Sequence, residues 1–167
     1  FADEALALLA RRGFGAEEAR RFFGFFYQLR RAFFFIDRSL VGRSASMRAL
    51  RERLWRNLFG DELRSYVRYL WNRMEDFSTL LLGETGTGKG AAAMALGRSG
   101  FIPFDERRRS FVVSFARGFV AINLSQYPES LIESELFGHR KGAFTGAIDH
   151  HEGVFARCSP HGVLFLD

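Results

Sequence analysis

The chain has 167 residues, 47% hydrophobic and 26% charged, with 24 basic against 19 acidic side chains and a net charge of +5, the composition of one globular domain rather than a disordered tail or a low-complexity array. A single cysteine excludes an intrachain disulfide framework and a multi-cysteine zinc finger, and no apolar run approaches the roughly 18 residues a membrane helix needs. Without a secretory signal pattern, a soluble protein of a reducing, cytoplasmic compartment is expected, with no membrane partner.

The surplus of positive charge is N-terminal: residues 1–76 carry 15 Arg against 10 acids, while residues 77–167 balance at nine against nine. Without a basic stripe interleaved with aromatics in the second part, direct nucleic-acid binding is not indicated. Only Lys89 and Lys141 are lysines. Lys is a compact point charge where Arg is a broad planar fork, so these two positions stand out as places where Arg would not serve.

In chain order, a helix is predicted from Asp3 to Arg12, followed after Gly13 and Gly15 by a longer one from Ala16 to Asp37. Its apolar residues Ala19, Phe22, Phe23, Phe26, Leu29, Phe33 and Ile36 share one face. Phe25, Phe34 and Phe35 fall elsewhere on the wheel, so this helix needs a partner surface, either the rest of the chain or another protomer. Helix is expected again over residues 44–76, with Ser46 as N-cap before Met47, Leu50, Leu54 and Leu58, and a second segment from Asp61 to Met74. Tyr66, Tyr69 and Trp71 are expected in the core.

From Phe77 strand and helix alternate. The pattern predicts a strand Ser78–Leu82, a glycine-rich turn, a helix Lys89–Arg98, a strand Phe119–Leu124, a helix Glu129–Phe137, a glycine-flanked loop through Ala147 and a strand Val163–Leu166. The outer strands are continuous apolar runs, as buried parallel strands are. Phe111–Phe115 could add a hairpin strand before Phe119 across Ala116, Arg117 and Gly118. The run Arg107–Arg109 reads as a solvated loop, and His150, His151, Cys158 and His161 are too scattered for a zinc site. Glu133 and Glu135 lie two apart on a helix and do not face together as a catalytic pair.

The chemistry begins at Gly83, Glu84, Thr85, Gly86, Thr87, Gly88 and Lys89, which match the phosphate-binding pattern G-x-x-x-x-G-K between a predicted strand and helix. Such a loop curls so that successive N–H groups point at phosphate oxygens, the helix N-terminus adds partial positive charge, and the lysine reaches the terminal phosphates. The next residue, where a Ser or Thr usually touches Mg²⁺, is Gly90, so the metal must be held by other groups or more weakly.

A second motif, Glu133-Ser134-Glu135-Leu136-Phe137-Gly138-His139, is followed by Lys141-Gly142-Ala143-Phe144-Thr145-Gly146-Ala147. Gly142 and Gly146 supply hinges around an exposed, mobile tip of Phe144 and Thr145, suited to a partner's pocket. With the phosphate loop, these residues resemble the AAA+ ATPase domain of bacterial sigma-54-dependent transcriptional activators, the enhancer-binding proteins, whose hallmark is the hexapeptide at Gly142–Ala147. The resemblance runs from about Val41 to Asp167.

It implies a P-loop α/β fold of the AAA+ type, a three-layer sandwich with a parallel sheet, over residues 41–167. Residues 1–40 would form a helical N-terminal segment or linker. It further implies ATP and Mg²⁺ as cofactors, sigma-54 RNA polymerase as the partner of residues 142–147, and a homo-oligomeric ring that meets DNA only through a C-terminal domain. By position, Asn123 matches the family asparagine that pairs with the catalytic glutamate and relays nucleotide state. Asp167 matches the Walker B aspartate that holds Mg²⁺.

The water-activating glutamate, the arginine fingers and a central sheet strand would lie past Asp167. The chain is therefore expected to be a piece of a longer ATPase, marginally stable and inactive in isolation. The function implied is ATP-driven remodelling of sigma-54 RNA polymerase in the parent protein; the alternative is a non-hydrolysing module that binds nucleotide or sigma factor.

Overall fold

The structure is a computed structural model that describes residues 1–73 and 77–167. Helix α1 (Ala2–Arg11) is followed by α2 (Ala16–Ala32), which continues as a π-helical stretch over Phe33–Arg38. Their extents agree with the sequence expectation, and the expected face is buried in part, through Ala19 and Ile36 with Phe22 and Leu29 against the core. The core takes Phe25, Ala32, Phe35 and Ile36, whereas Phe26 and Phe33 are exposed.

The helix is apolar on more than one side, so counting apolar positions could not fix its rotation. Two polar residues set it instead. Gln28 is buried because the Tyr66 hydroxyl donates to its Oε1 at 2.7 Å. Arg31 is buried because its guanidinium donates to the carbonyls of Arg98 (2.7 Å) and Gly100 (2.6 Å) and lies over the Tyr27 ring. Buried polar groups persist where such partners exist. Desolvation lowers the Arg31 pKa from 12.5 to about 10, and burial raises that of Tyr66 from 10.0 to about 12.

Helix α3 (Ala45–Phe59) begins after residues 39–44, which follow the π-helical stretch. Its N-cap is Ser44 rather than the expected Ser46: the Ser44 hydroxyl accepts from the Met47 amide three residues on, and Ser46 bonds to Ser44 instead. The short α4 (Leu63–Ser65) runs into a π-helical turn over Tyr66–Leu70. The expected helix from Asp61 is therefore shorter, and its predicted end at Met74 lies outside the described residues. Tyr66 is fully buried and Trp71 packs at the core's edge, but Tyr69 is 62% exposed. The helical turn that buries Tyr66 points Tyr69 outward.

Helix α5 (Lys89–Gly97) joins this core through Ala92 and Ala95. At its far end it meets a parallel pair, β3 (Phe119–Ile122) and β6 (Val163–Leu166), in register from Phe119↔Val163 to Ile122↔Leu166. Gly97 permits the close approach, since a Cβ there would stand 2.5 Å from the Phe119 ring and 3.2 Å from Val163 Cβ. Strands β1 (Phe104–Asp105) and β2 (Ser110–Phe111) pair antiparallel with each other, and their Phe104 and Phe111 rings pack on Phe23 of α2. This corrects the expected hairpin of Phe111–Phe115 with Phe119: the nearer apolar surface was that of α2.

Helix α6 (Glu129–Phe137) has the predicted bounds and leads into the small antiparallel pair β4 (Gly138–His139) and β5 (His151–Glu152), then α7 (Val154–Arg157). Together these give an α/β fold, helices with a small parallel sheet. Residues 78–82 form no strand, which is a second correction. Leu80 is 81% and Leu82 is 85% exposed. Among the described residues β3 and β6 pair only with one another, so the apolar run has no ladder to join, and propensity alone does not make a strand. For the same reason β6 is only partly covered, with Val163 and Leu166 exposed. No helix among the described residues is long and apolar enough to cross a membrane.

Candidate functional site

The glycine-rich stretch forms a tight loop ahead of α5. Gly88 precedes the first helical residue with φ +91°, a left-handed conformation that glycine adopts without a Cβ clash. The Glu84 carbonyl gathers the loop, accepting from Thr87 N (3.3 Å), Thr87 Oγ1 (2.7 Å) and Lys89 Nζ (3.1 Å). Lys89 Nζ also donates to the Gly83 carbonyl at 3.0 Å. The ammonium is thus folded back on its own loop, above a helix N-terminus whose first N–H groups have no carbonyl one turn behind them. Thr85, Gly86 and Gly88 are exposed, and a Cβ at Gly86 or Gly88 would meet open space.

An anion entering this loop would find amide donors, the positive helix end and a lysine whose present partners are neutral carbonyls. The residue set therefore fits a polyphosphate. The fit to a metal is narrower. Gly90 supplies no oxygen, and a Cβ built on it would face the Phe165 ring at 3.9 Å.

That contact brings β6 beside the start of α5, and Asp167 follows directly on β6. The parallel register carries Asn123 and Asp167 to adjoining strand ends: Asp167 N donates to Ile122 O (3.0 Å) and Leu124 N donates to Asp167 O (2.9 Å). The Asp167 side chain is exposed and makes no hydrogen bond among those of the described residues. The Asn123 carboxamide oxygen accepts from Ser125 N (3.0 Å) and Ser125 Oγ (2.7 Å), capping the 3₁₀ turn that leads to α6. Among the described residues its amide nitrogen makes no hydrogen bond.

The hexapeptide lies elsewhere, on the β4–β5 hairpin. Gly142 N donates to Ala147 O (2.8 Å) and Ala147 N to Phe144 O (3.0 Å), so residues 142–147 close into a compact double turn. Gly142 starts it at φ +81°, where a side chain would be strained. Ala143, Thr145 and Gly146 are exposed, Ala147 is buried, and Phe144 is 43% exposed with its ring meeting that of His139 in a T-shape. No hydrogen bond among the described residues joins this turn to the loop at 83–90 or to the strand ends.

Sequence reasoning quoted His139 only as part of a motif and passed over Arg31 and Gly97, which seat α5. A histidine on the stem of a glycine-flanked loop was the available signal for the first. Nothing local marked the other two, whose partners lie more than twenty residues away.

The family described as Sigma-54 interaction domain matches residues 62–167, a start later than the Val41 of the sequence reading. The DNA-binding transcriptional regulator NtrC of Rhizobium meliloti is 40% identical over 129 residues, 77% of this chain and 21% of its own length. The hydrogenase transcriptional regulatory protein HoxA of Cupriavidus necator is 44% identical over 92 residues, 55% of this chain and 16% of its own. The response regulator protein PilR of Pseudomonas aeruginosa is 36% identical over 132 residues, 79% of this chain and 23% of its own. The chain thus spans about a fifth of the length of the curated relatives it matches.

Proposed function

Because the chain belongs to the Sigma-54 interaction domain family, we propose that it is the ATP-binding part of a cytoplasmic transcription activator that remodels sigma-54 RNA polymerase. In this reading it works as one subunit of a homo-oligomeric ring, residues 1–40 form a helical segment ahead of the AAA+ domain, and DNA is met only through another domain. The AAA+ layering of a three-layer sandwich belongs to the same proposal.

The observation that carries the reading is the convergence at α5: a phosphate-type loop opens the helix, and the helix packs on the strand that Asp167 follows, beside Asn123. Gly83 to Gly90 would cradle the phosphates, with Lys89 leaving the Gly83 and Glu84 carbonyls for the terminal oxygens. The Asp167 carboxylate would hold Mg²⁺, which when bound neutralises charge on the phosphates. Asn123 already caps the turn into α6, so a change at its free amide would be passed to the helix that carries the partner loop. Gly142 to Ala147 would present Phe144 and Thr145 to sigma-54.

Gly90 favours a second reading. With no oxygen beside Lys89 and an aromatic carbon facing that position, the metal has one ligand fewer, which suits a module that binds nucleotide without turnover. Phe144→Ala tests the partner loop. With a transition-state analogue of ATP present, it should abolish sigma-54 binding while leaving the melting temperature nearly unchanged, since the ring lies at the surface. Unchanged sigma-54 binding would reject the loop as the contact.

A further inference from the structure

The hairpin that carries the partner loop is built around two stacked imidazoles. His139 of β4 and His151 of β5 are cross-strand partners, with ring centroids 5.5 Å apart and planes 24° from parallel. Both are braced from the last turns of α6. Ser134 Oγ and His139 Nδ1 share a hydrogen bond of 2.5 Å, and Glu135 Oε2 lies 3.5 Å from His151 Nε2, a buried nitrogen with no hydrogen bond of its own. The stem itself is packed backbone to backbone: a Cβ on Gly138 would collide with the His151 carbonyl. Against this stem the Phe144 and His139 rings meet in a T-shape, centroids 4.9 Å apart at 62°, an aromatic geometry in which positive edge meets negative face.

We propose that His139 is a positioning residue that holds the Phe144 ring against the stem, so that a partner pocket must compete with His139 for the ring. The inference rests on the reading of Phe144 as the partner contact. A pocket that takes in a phenylalanine covers its whole ring, and here part of that ring already lies against His139. Ser134 fixes the imidazole from α6, so the hold on Phe144 is tied to the helix that begins after the Asn123 turn. An aromatic pair of this kind biases the held state by about two- to tenfold.

The test compares three single variants with the parent chain in one nucleotide state, reading sigma-54 affinity and hydrogen exchange at the Ala147 amide. His139→Ala should raise affinity about two- to tenfold and speed exchange by a similar factor. A damaged stem would weaken binding, so the direction separates release from misfolding. His139→Phe, which restores a ring without the Ser134 bond, should return both readings toward the parent. Phe144→Ala should lose binding whatever stands at 139. Unchanged or weaker binding in His139→Ala, with Phe144→Ala still deficient, would overturn the role of His139 alone. Parent-like binding in Phe144→Ala would overturn the partner-loop reading, and the inference with it.

Discussion

Helix α5 lies between two different surroundings. On one side lies a helical core in which Ile36 and Tyr66 are fully buried and Phe25, Leu54, Leu58 and Phe59 pack around them. On the other lies a parallel sheet that among the described residues has two strands, with Leu166 exposed on β6. The residues proposed to carry the chemistry lie beside the second region, and the apolar burial that orders the chain belongs to the first. The phosphate-type loop is therefore held in place largely from behind, through Ala92, Ala95 and the Arg31 clamp on the end of its helix.

Substitutions that break the helical core should have the largest effect. Ile36→Ala removes buried methyl and methylene groups from a site with no solvent access and should cost about 2–5 kcal/mol in denaturant unfolding. Arg31→Met should cost about 1–3 kcal/mol, because the Arg98 and Gly100 carbonyls lose their donors. It should also weaken nucleotide binding if the clamp positions α5; unchanged affinity would break the link between the two regions.

Tyr66→Phe should cost about 1–3 kcal/mol at neutral pH by leaving Gln28 buried without its donor. The cost should depend on pH with a definite sign. The Tyr66 hydroxyl is raised from 10.0 to about 12 in the fold, so the folded state holds that proton more tightly. The stability it contributes is full below pH 10 and is lost as pH rises through 12. The difference between parent and Tyr66→Phe should accordingly shrink over that interval. A difference that stays constant would contradict the burial of the phenol.

Smallest of all should be Leu80→Ser, which replaces a side chain 81% exposed and should shift stability by no more than about 0.5 kcal/mol. A loss of several kcal/mol would mean that residues 78–82 are packed as the buried strand their sequence suggests.

That segment shows where sequence reading ends. Helices α1, α3, α5 and α6 and strands β3 and β6 were legible because each is specified by local pattern, cap or glycine punctuation. A strand also needs a neighbour, and no pattern within Ser78–Leu82 says whether one is present. The rotation of α2 was hidden for a related reason: Gln28 and Arg31 read as surface residues until their partners at Tyr66, Arg98 and Gly100 are known. The loops at 83–90 and 142–147 were legible from spacing, since their glycines sit where left-handed backbone is needed. The ring of His139 against Phe144 was not, because the contact depends on how β4 and β5 fold the loop back.

The central claim is that the loop before α5 is a nucleotide site, and the most direct measurement is a calorimetric titration of the chain with ATP, with and without Mg²⁺, for the parent and Lys89→Ala. Binding to the parent that disappears in Lys89→Ala, with the melting temperature preserved because Lys89 bonds only to exposed loop carbonyls, is the predicted result. Equal heats from both proteins, or no binding to a folded parent, would contradict it.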